Sequence, residues 1–99
     1  MRLSSEQRQI IIEIAHQVFG ETAHVKLFGS RVDDAKRGGD IDLLVELPYI
    51  EPQRQRKALT CVALLQQRLG DQPVDVLVID PASVIDSFRS QALHTGIPL

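Results

Sequence analysis

The stretch LFGSRVDDAKRGGDIDLLVEL, residues 27–47, holds the features that decide the fold. An apolar segment ends at Gly29-Ser30, and a pair of glycines precedes a second apolar segment, DIDLLVEL. The second segment predicts a strand with Asp40 and Asp42 together on one face. Asp is a poor strand former and neighbouring carboxylates repel, so we expect something to compensate for them. The side chains of the opposite, inward-facing set are Ile41, Leu43, Val45 and Leu47.

The N-terminal part of the chain predicts a helix followed by a strand. Ser4 and Gln7 have the spacing of a capping box, and apolar residues at helical spacing continue the helix over residues 4–19. Gly20 ends it. A strand is predicted from His24 to Phe28, and a short helical piece follows the Gly-Ser turn and ends at the glycine pair.

The C-terminal part predicts helix, strand and helix. A helix begins at Glu51-Pro52, with proline at its first position, and is capped by Gly70. A strand covers Val74–Ile79, and a last helix runs from Asp80-Pro81 to about His94. The side chains of this last helix that are predicted to face inward are Val84, Ile85, Phe88 and Ala92.

These elements predict an α+β fold. Their order is α-β-α-β-α-β-α, which favours a small mixed sheet of about three strands with helices packed on it. Ninety-nine residues are close to the usual size of one domain, so we expect a single domain over residues 1–99.

Composition narrows the functional classes. The chain is 43% hydrophobic and 24% charged, with net charge -2, which does not favour binding to a nucleic-acid duplex. Only four aromatic residues are present and none is Trp, so a base-stacking surface for single strands is not expected. No apolar run approaches the roughly 20 residues that cross a bilayer, and no signal peptide is recognisable. The lone Cys61 fits a reducing compartment, so the sequence predicts a cytoplasmic protein without membrane association.

Three aspartates predict a metal site. Asp40 and Asp42 are two positions apart on a strand, about 6.6 Å along the chain, and point the same way. Asp75 is the one charge in an otherwise apolar strand, and it joins them on one face if the two strands are neighbours. Carboxylates without clustered His or Cys indicate Mg²⁺ or Mn²⁺, as one ion or as two roughly 4 Å apart.

The Gly-Ser turn predicts a phosphate site beside the aspartates. Gly29 allows a close approach of the backbone, Ser30 offers a hydroxyl and Arg31 a fixed cation. For Arg31, a surface salt bridge is an equally good interpretation. A phosphate cradle next to a Mg²⁺ site suggests a nucleoside triphosphate, although neither a P-loop nor a G-x-G-x-x-G motif is present.

The sequence combines Gly29-Ser30, nine further residues, Asp40-Ile41-Asp42 and the later Asp75. This composite pattern resembles that of the DNA polymerase β-like nucleotidyltransferase superfamily. The resemblance is greatest to the minimal nucleotidyltransferase (MNT) family and spans essentially the whole chain. Many MNT proteins have ten residues between the Ser and the first Asp, whereas this chain has nine. The resemblance implies the polymerase β-like fold.

The resemblance also implies a reaction and the roles of five residues. The activity is transfer of AMP from ATP to a hydroxyl with release of pyrophosphate. Gly29 and Ser30 would bind the triphosphate. Asp40 and Asp42 would hold two Mg²⁺ ions, and Asp75 would complete the catalytic metal site and help to activate the attacking hydroxyl.

The acceptor is expected on another chain, because no residues remain for an acceptor-binding domain once the elements are assigned. MNT proteins are commonly paired with a small helical HEPN toxin and act as its antitoxin, some by adding AMP to a tyrosine. The resemblance therefore predicts a protein adenylyltransferase in such a toxin–antitoxin pair. Two alternatives stay open: an antitoxin that neutralises its partner by binding alone, and a transferase that acts on a small molecule.

Overall fold

The computed structural model describes residues 3–29 and 40–99. The predicted short helical piece after Ser30 lies outside these residues. The elements in chain order are α1 (Ser5–Phe19), β1 (His24–Phe28), β2 (Ile41–Glu46), α2 (Arg54–Leu69), β3 (Val74–Ile79), α3 (Ser87–Thr95) and β4 (Ile97–Pro98). No helix within these ranges has the length and apolar character needed to cross a membrane.

The sheet is mixed and has the strand order β3-β2-β1-β4. β1 pairs antiparallel with both β2 and β4, whereas β2 and β3 are parallel. The prediction of an α+β fold with helices on a small mixed sheet is confirmed, but the described sheet has four strands and not three. The additional strand, β4, is only two residues long, too short to leave a periodic pattern in the sequence.

The first helix forms as the sequence predicts. The Ser4 hydroxyl accepts a hydrogen bond from the Gln7 N–H at 3.0 Å, and the Gln7 side chain accepts one from the Ser4 N–H, also at 3.0 Å. This capping box satisfies two N–H groups that the helix itself leaves unpaired. At the other end, Gly20 has a φ of 96° and its N–H reaches the carbonyl of His16 at 2.9 Å.

The two faces of the sheet are covered by different helices. α1 and α2 pack on one face, where the predicted inward set of β2 is buried and Cys61 and Leu65 of α2 are almost inaccessible. α3 covers part of the other face, over a smaller apolar cluster of Phe28, Leu44, Ile79 and Ala92. Because side chains alternate along a strand, Asp42 shares this second face with Leu44. The aspartates therefore lie on the α3 side of the sheet.

The predicted start of α2 at Glu51-Pro52 is wrong, because the helix begins at Arg54. A buried carboxylate distant in sequence, Asp80, accepts a hydrogen bond from the Glu51 N–H at 2.7 Å. The Glu51 carboxylate in turn accepts one from the Gln53 N–H at 3.0 Å. These two contacts hold residues 51–53 in a turn before the helix starts.

The predicted start of the last helix at Asp80-Pro81 is also wrong. Asp80 accepts a hydrogen bond from the Ala82 N–H at 2.9 Å and closes a turn, and α3 begins after Asp86, which caps it. Three of the four side chains predicted to face inward are exposed: Val84 at 83%, Ile85 at 47% and Phe88 at 58%. Ala92 alone of the four is buried.

Candidate metal centre

Pairing of β2 with β3 brings the aspartates together. Asp42 and Asp75 are register partners in the parallel pair, and Asp40 lies just before β2. One carboxylate oxygen from each of the three lies within 4.8 Å of the others. The prediction that Asp75 joins Asp40 and Asp42 if the two strands are neighbours is confirmed.

The three carboxylates have no compensating cation among residues 3–29 and 40–99. No Lys, Arg or His of these residues forms an ion pair with any of them. Partial burial raises the pKa of Asp42, and the charges of Asp75 and Asp40 raise it further, together with a hydrogen bond to Asp75. The protein therefore holds Asp42 in surroundings that disfavour its negative charge.

Although β3 is otherwise apolar in sequence, its one charged residue, Asp75, is not buried. Asp75 is exposed, and β3 is an edge strand of the described sheet. Asp40 is exposed as well, and Asp42 is half-buried. Solvent therefore reaches the cluster, and so can a diffusible ligand.

Gly29 is packed against Asp42. Its φ of +76° is unfavourable for residues with a side chain, and a Cβ added there would overlap Asp42 Oδ2 and lie 3.1 Å from Asp42 Cγ. The glycine thus provides the space in which the Asp42 carboxylate sits. Ser30 and Arg31, which were predicted to bind nucleotide with Gly29, lie outside the described residues.

The donor set fits a hard divalent cation. Mg²⁺ and Mn²⁺ prefer carboxylate oxygens and keep several water ligands, and three clustered carboxylates on a solvent-accessible face offer both. A bound cation would also remove the like-charge repulsion that raises the pKa of Asp42. Asp40, Asp42 and Asp75 are therefore the residues that would hold it.

Phe28 belongs to the surroundings of this site, although the sequence indicated only a strand residue. It is the register partner of Asp42 in the antiparallel β1–β2 pair, so the two side chains lie side by side on the α3 face. The phenyl ring is 9% exposed and forms one wall next to the carboxylates. Only strand register identifies this neighbour, because residues 28 and 42 are distant in sequence.

A second acidic cluster, at the far end of β3, has a structural role. Asp80 is 4% exposed and forms an ion pair with Arg54 at 2.7 Å, and Glu51 pairs with Lys57. Burial alone would raise the pKa of Asp80, but the Glu51 and Ala82 N–H groups and the Arg54 guanidinium lower it to about 2. We call Glu51, Arg54, Lys57 and Asp80 the Asp80 clamp.

Cys61 is a packing residue of α2. It is 1% exposed, and burial raises the pKa of its thiol to about 11. A protonated, inaccessible thiol is a poor nucleophile and a poor metal ligand. Cys61 therefore takes no part in the chemistry of the site.

Comparison of the sequence with protein-family models and with curated proteins found no match. Function is therefore inferred from the geometry and charge of the three aspartates and from the sequence pattern around them.

Proposed function

We propose that this chain is a Mg²⁺-dependent nucleotidyltransferase of the MNT type, with a polymerase β-like fold, that transfers AMP from ATP to a hydroxyl group. The observation that carries the proposal is the clustering of Asp40, Asp42 and Asp75, from two parallel strands, with ligand atoms within 4.8 Å of one another and open to solvent. The four-stranded mixed sheet with helices on both faces is compatible with that fold.

The carboxylates give each proposed role a physical basis. When bound, Mg²⁺ supplies positive charge that neutralises the phosphates and the developing charge of the transition state. Asp40 and Asp42 would hold the cation, and the lack of a side chain at Gly29 leaves room for the Asp42 carboxylate. Asp75, an exposed residue of the edge strand β3, would accept the proton of an incoming hydroxyl.

The reaction balances without any further reactant. The hydroxyl oxygen of the acceptor forms a bond to the α-phosphorus of ATP, and the bond between that phosphorus and the oxygen bridging to the β-phosphate breaks. The bridging oxygen leaves as part of pyrophosphate, and the hydroxyl proton passes to Asp75 and then to solvent. The protein contributes positioning and electrostatic stabilisation.

The acceptor that we propose is a side-chain hydroxyl of a small helical partner of the HEPN type, which makes this chain the antitoxin of the pair. A purely binding antitoxin has no use for three clustered carboxylates that pair with no cation among residues 3–29 and 40–99, because the charges of Asp40 and Asp75 disfavour the charge of Asp42. The perturbed pKa of Asp42 at a solvent-accessible site favours the enzyme over the binding module.

The test combines cation binding with nucleotide transfer. Wild type, Asp42→Asn and Glu46→Gln are each titrated with Mn²⁺ and followed by electron paramagnetic resonance. Each is also co-expressed with the protein encoded by the adjacent reading frame, and the mass of that protein is measured. Glu46 is a suitable control because it lies on β2 but pairs with Lys26 at 3.0 Å, away from the cluster.

We expect wild type and Glu46→Gln to bind Mn²⁺ and to add whole AMP units to the partner. Asp42→Asn should lose transfer by more than about 100-fold, beyond the 10–100-fold loss typical of residues that only support a metal ligand. Full transfer by Asp42→Asn would exclude the proposed mechanism. A stable complex with an unmodified partner in all three would replace it with the binding module.

A further inference from the structure

Phe88 is an unusually exposed aromatic residue near the aspartates. It lies on the first turn of α3, and 58% of its surface is exposed. Its ring packs edge-to-face against Phe28, with the ring centroids 6.0 Å apart and the ring planes at 77°. The contact with Phe28 limits the motion of the Phe88 ring and leaves much of the other surface of Phe88 exposed to solvent.

Strand register places this aromatic pair beside the metal centre. Phe28 is directly opposite Asp42, and side chains in that relation have Cβ atoms about 4.5–5.5 Å apart. Asp42 is in turn opposite Asp75 on the next strand. Phe28, Asp42 and Asp75 thus form one row across three strands, and Phe88 stands over the Phe28 end of that row.

The anchoring of α3 explains why Phe88 projects towards this row. Positions 88 and 92 share a face of the helix, and Ala92 is 2% exposed where it contacts the smaller apolar cluster. The Lys26 ammonium group donates a hydrogen bond to the Leu93 carbonyl at 3.2 Å and holds the C-terminal half of α3 over β1. Phe88 therefore lies on the same face of α3 as Ala92, where its ring contacts Phe28 of β1.

We infer that Phe88, supported by Phe28, stacks against the base of the nucleotide whose phosphates the aspartate cluster binds. The inference rests on the proposed function and adds the site for the base. An aromatic ring stacks on any nucleobase, because every base has a π-face. Within the described residues, the platform consists of the phenyl rings of Phe28 and Phe88, which offer no hydrogen bond to a base. It therefore selects nucleotides over inorganic phosphates without distinguishing adenine from guanine.

The experiment compares ligands with and without a base. Affinities for ATP, GTP and inorganic tripolyphosphate are measured by calorimetry in the presence of Mg²⁺. The variants are Phe88→Leu, which keeps an apolar side chain of similar reach, and Phe88→Trp, which keeps an aromatic face. Val84→Ala is the control, because Val84 is an 83% exposed apolar residue outside the row.

We expect Phe88→Leu to weaken binding of ATP and of GTP by about 10- to 100-fold, the range typical of a lost aromatic–base contact. Binding of tripolyphosphate should not change in that variant. Phe88→Trp should bind both nucleotides at least as well as wild type does, and Val84→Ala should match wild type for all three ligands.

Other results would overturn the inference in recognisable ways. Equal weakening of nucleotide and tripolyphosphate in Phe88→Leu would mean that the ring only supports the fold. Unchanged nucleotide binding in Phe88→Leu, together with its loss in Asp42→Asn, would exclude the platform and leave the proposed function intact. Failure of the wild type to bind any of the three ligands would exclude both.

Discussion

The two acidic clusters at the ends of β3 shift the pKa of an aspartate in opposite directions. Asp75, near the start of the strand, lies with Asp40 and Asp42, and the pKa of Asp42 is raised by partial burial and by its acidic neighbours. Asp80 directly follows the strand, and its pKa is lowered to about 2 despite burial. The difference is one of partners and not of residue type.

The fold stabilises the negative charge of Asp80 but tolerates repulsion among Asp40, Asp42 and Asp75. Asp80 receives N–H groups from Glu51 and Ala82 and a guanidinium from Arg54, so its charge joins α2 to the loop before α3. Among the described residues, the aspartates at the other end pair with no cation, and Asp40 and Asp75 oppose the charge of Asp42. Carboxylates kept together at such a cost are typical of sites where a bound ligand compensates.

Removal of the Asp80 carboxylate should cost the most stability, because it breaks the Asp80 clamp. Asp80→Ala leaves the buried Glu51 N–H, the Ala82 N–H and the Arg54 guanidinium without their acceptor, which is far more costly than losing an exposed pair. We expect the greatest loss of stability of the substitutions considered, measured as a fall in the urea midpoint. Asp86→Ala is the control, since exposed Asp86 also pairs with an arginine and a backbone N–H. Similar losses of stability in both variants would show that the clamp has no special structural role.

Acid should expose the same difference as a pH effect. Because the pKa of Asp80 is about 2 in the folded protein and about 3.9 in an unfolded chain, its contribution to stability is complete above pH 4. It is lost as the pH falls from about 4 through 2. Unfolding free energies measured over this range should decline more steeply for wild type than for Asp80→Asn. Parallel curves would contradict the assignment.

Glycine substitutions test whether Gly29 positions Asp42 in the metal centre. Gly20→Ala and Gly29→Ala both place a side chain at positive φ, which costs of the order of 1–3 kcal/mol. The added Cβ meets nothing within 4 Å at Gly20, but at Gly29 it overlaps Asp42 Oδ2. We therefore expect both variants to lose stability, and only Gly29→Ala to lose Mn²⁺ affinity as well. Equal Mn²⁺ affinity in the two would show that Gly29 does not position Asp42.

The smallest expected effect is a gain in stability. Without divalent cations near pH 7, Asp42→Asn removes one charge from the cluster and should stabilise the protein by up to about 1 kcal/mol. The gain should shrink as the pH falls towards 4, because wild-type Asp42, with its raised pKa, becomes protonated. Thermal melts at several pH values measure it, with the exposed Asp71→Asn as a control that should show no gain. If Asp42→Asn were less stable than wild type, the inferred repulsion among the three carboxylates would be wrong.

Local patterns were enough to predict β1, β2 and β3 and the clustered aspartates, but not the two-residue β4. β1 and β3 have the bounds expected from short apolar runs between turn residues, and the meeting of Asp42 with Asp75 required only that their strands be neighbours. The starts of α2 and α3 could not be predicted, since Asp80 binds the backbone of Glu51 across 29 positions. The exposure of Phe88 was equally out of reach, because it depends on how far α3 extends over the sheet.

The parallel pairing of β2 with β3 has a consequence for folding. Asp42 and Asp75 are partners in the sheet, yet α2 lies between them in the chain, and parallel strands require such a crossover. Contacts of this kind raise the contact order and form slowly, because a long loop must close before they can contribute. The three carboxylates come together only when β2 has paired with β3. A cation that needs all three therefore binds the native state alone and shifts the folding equilibrium towards it by mass action.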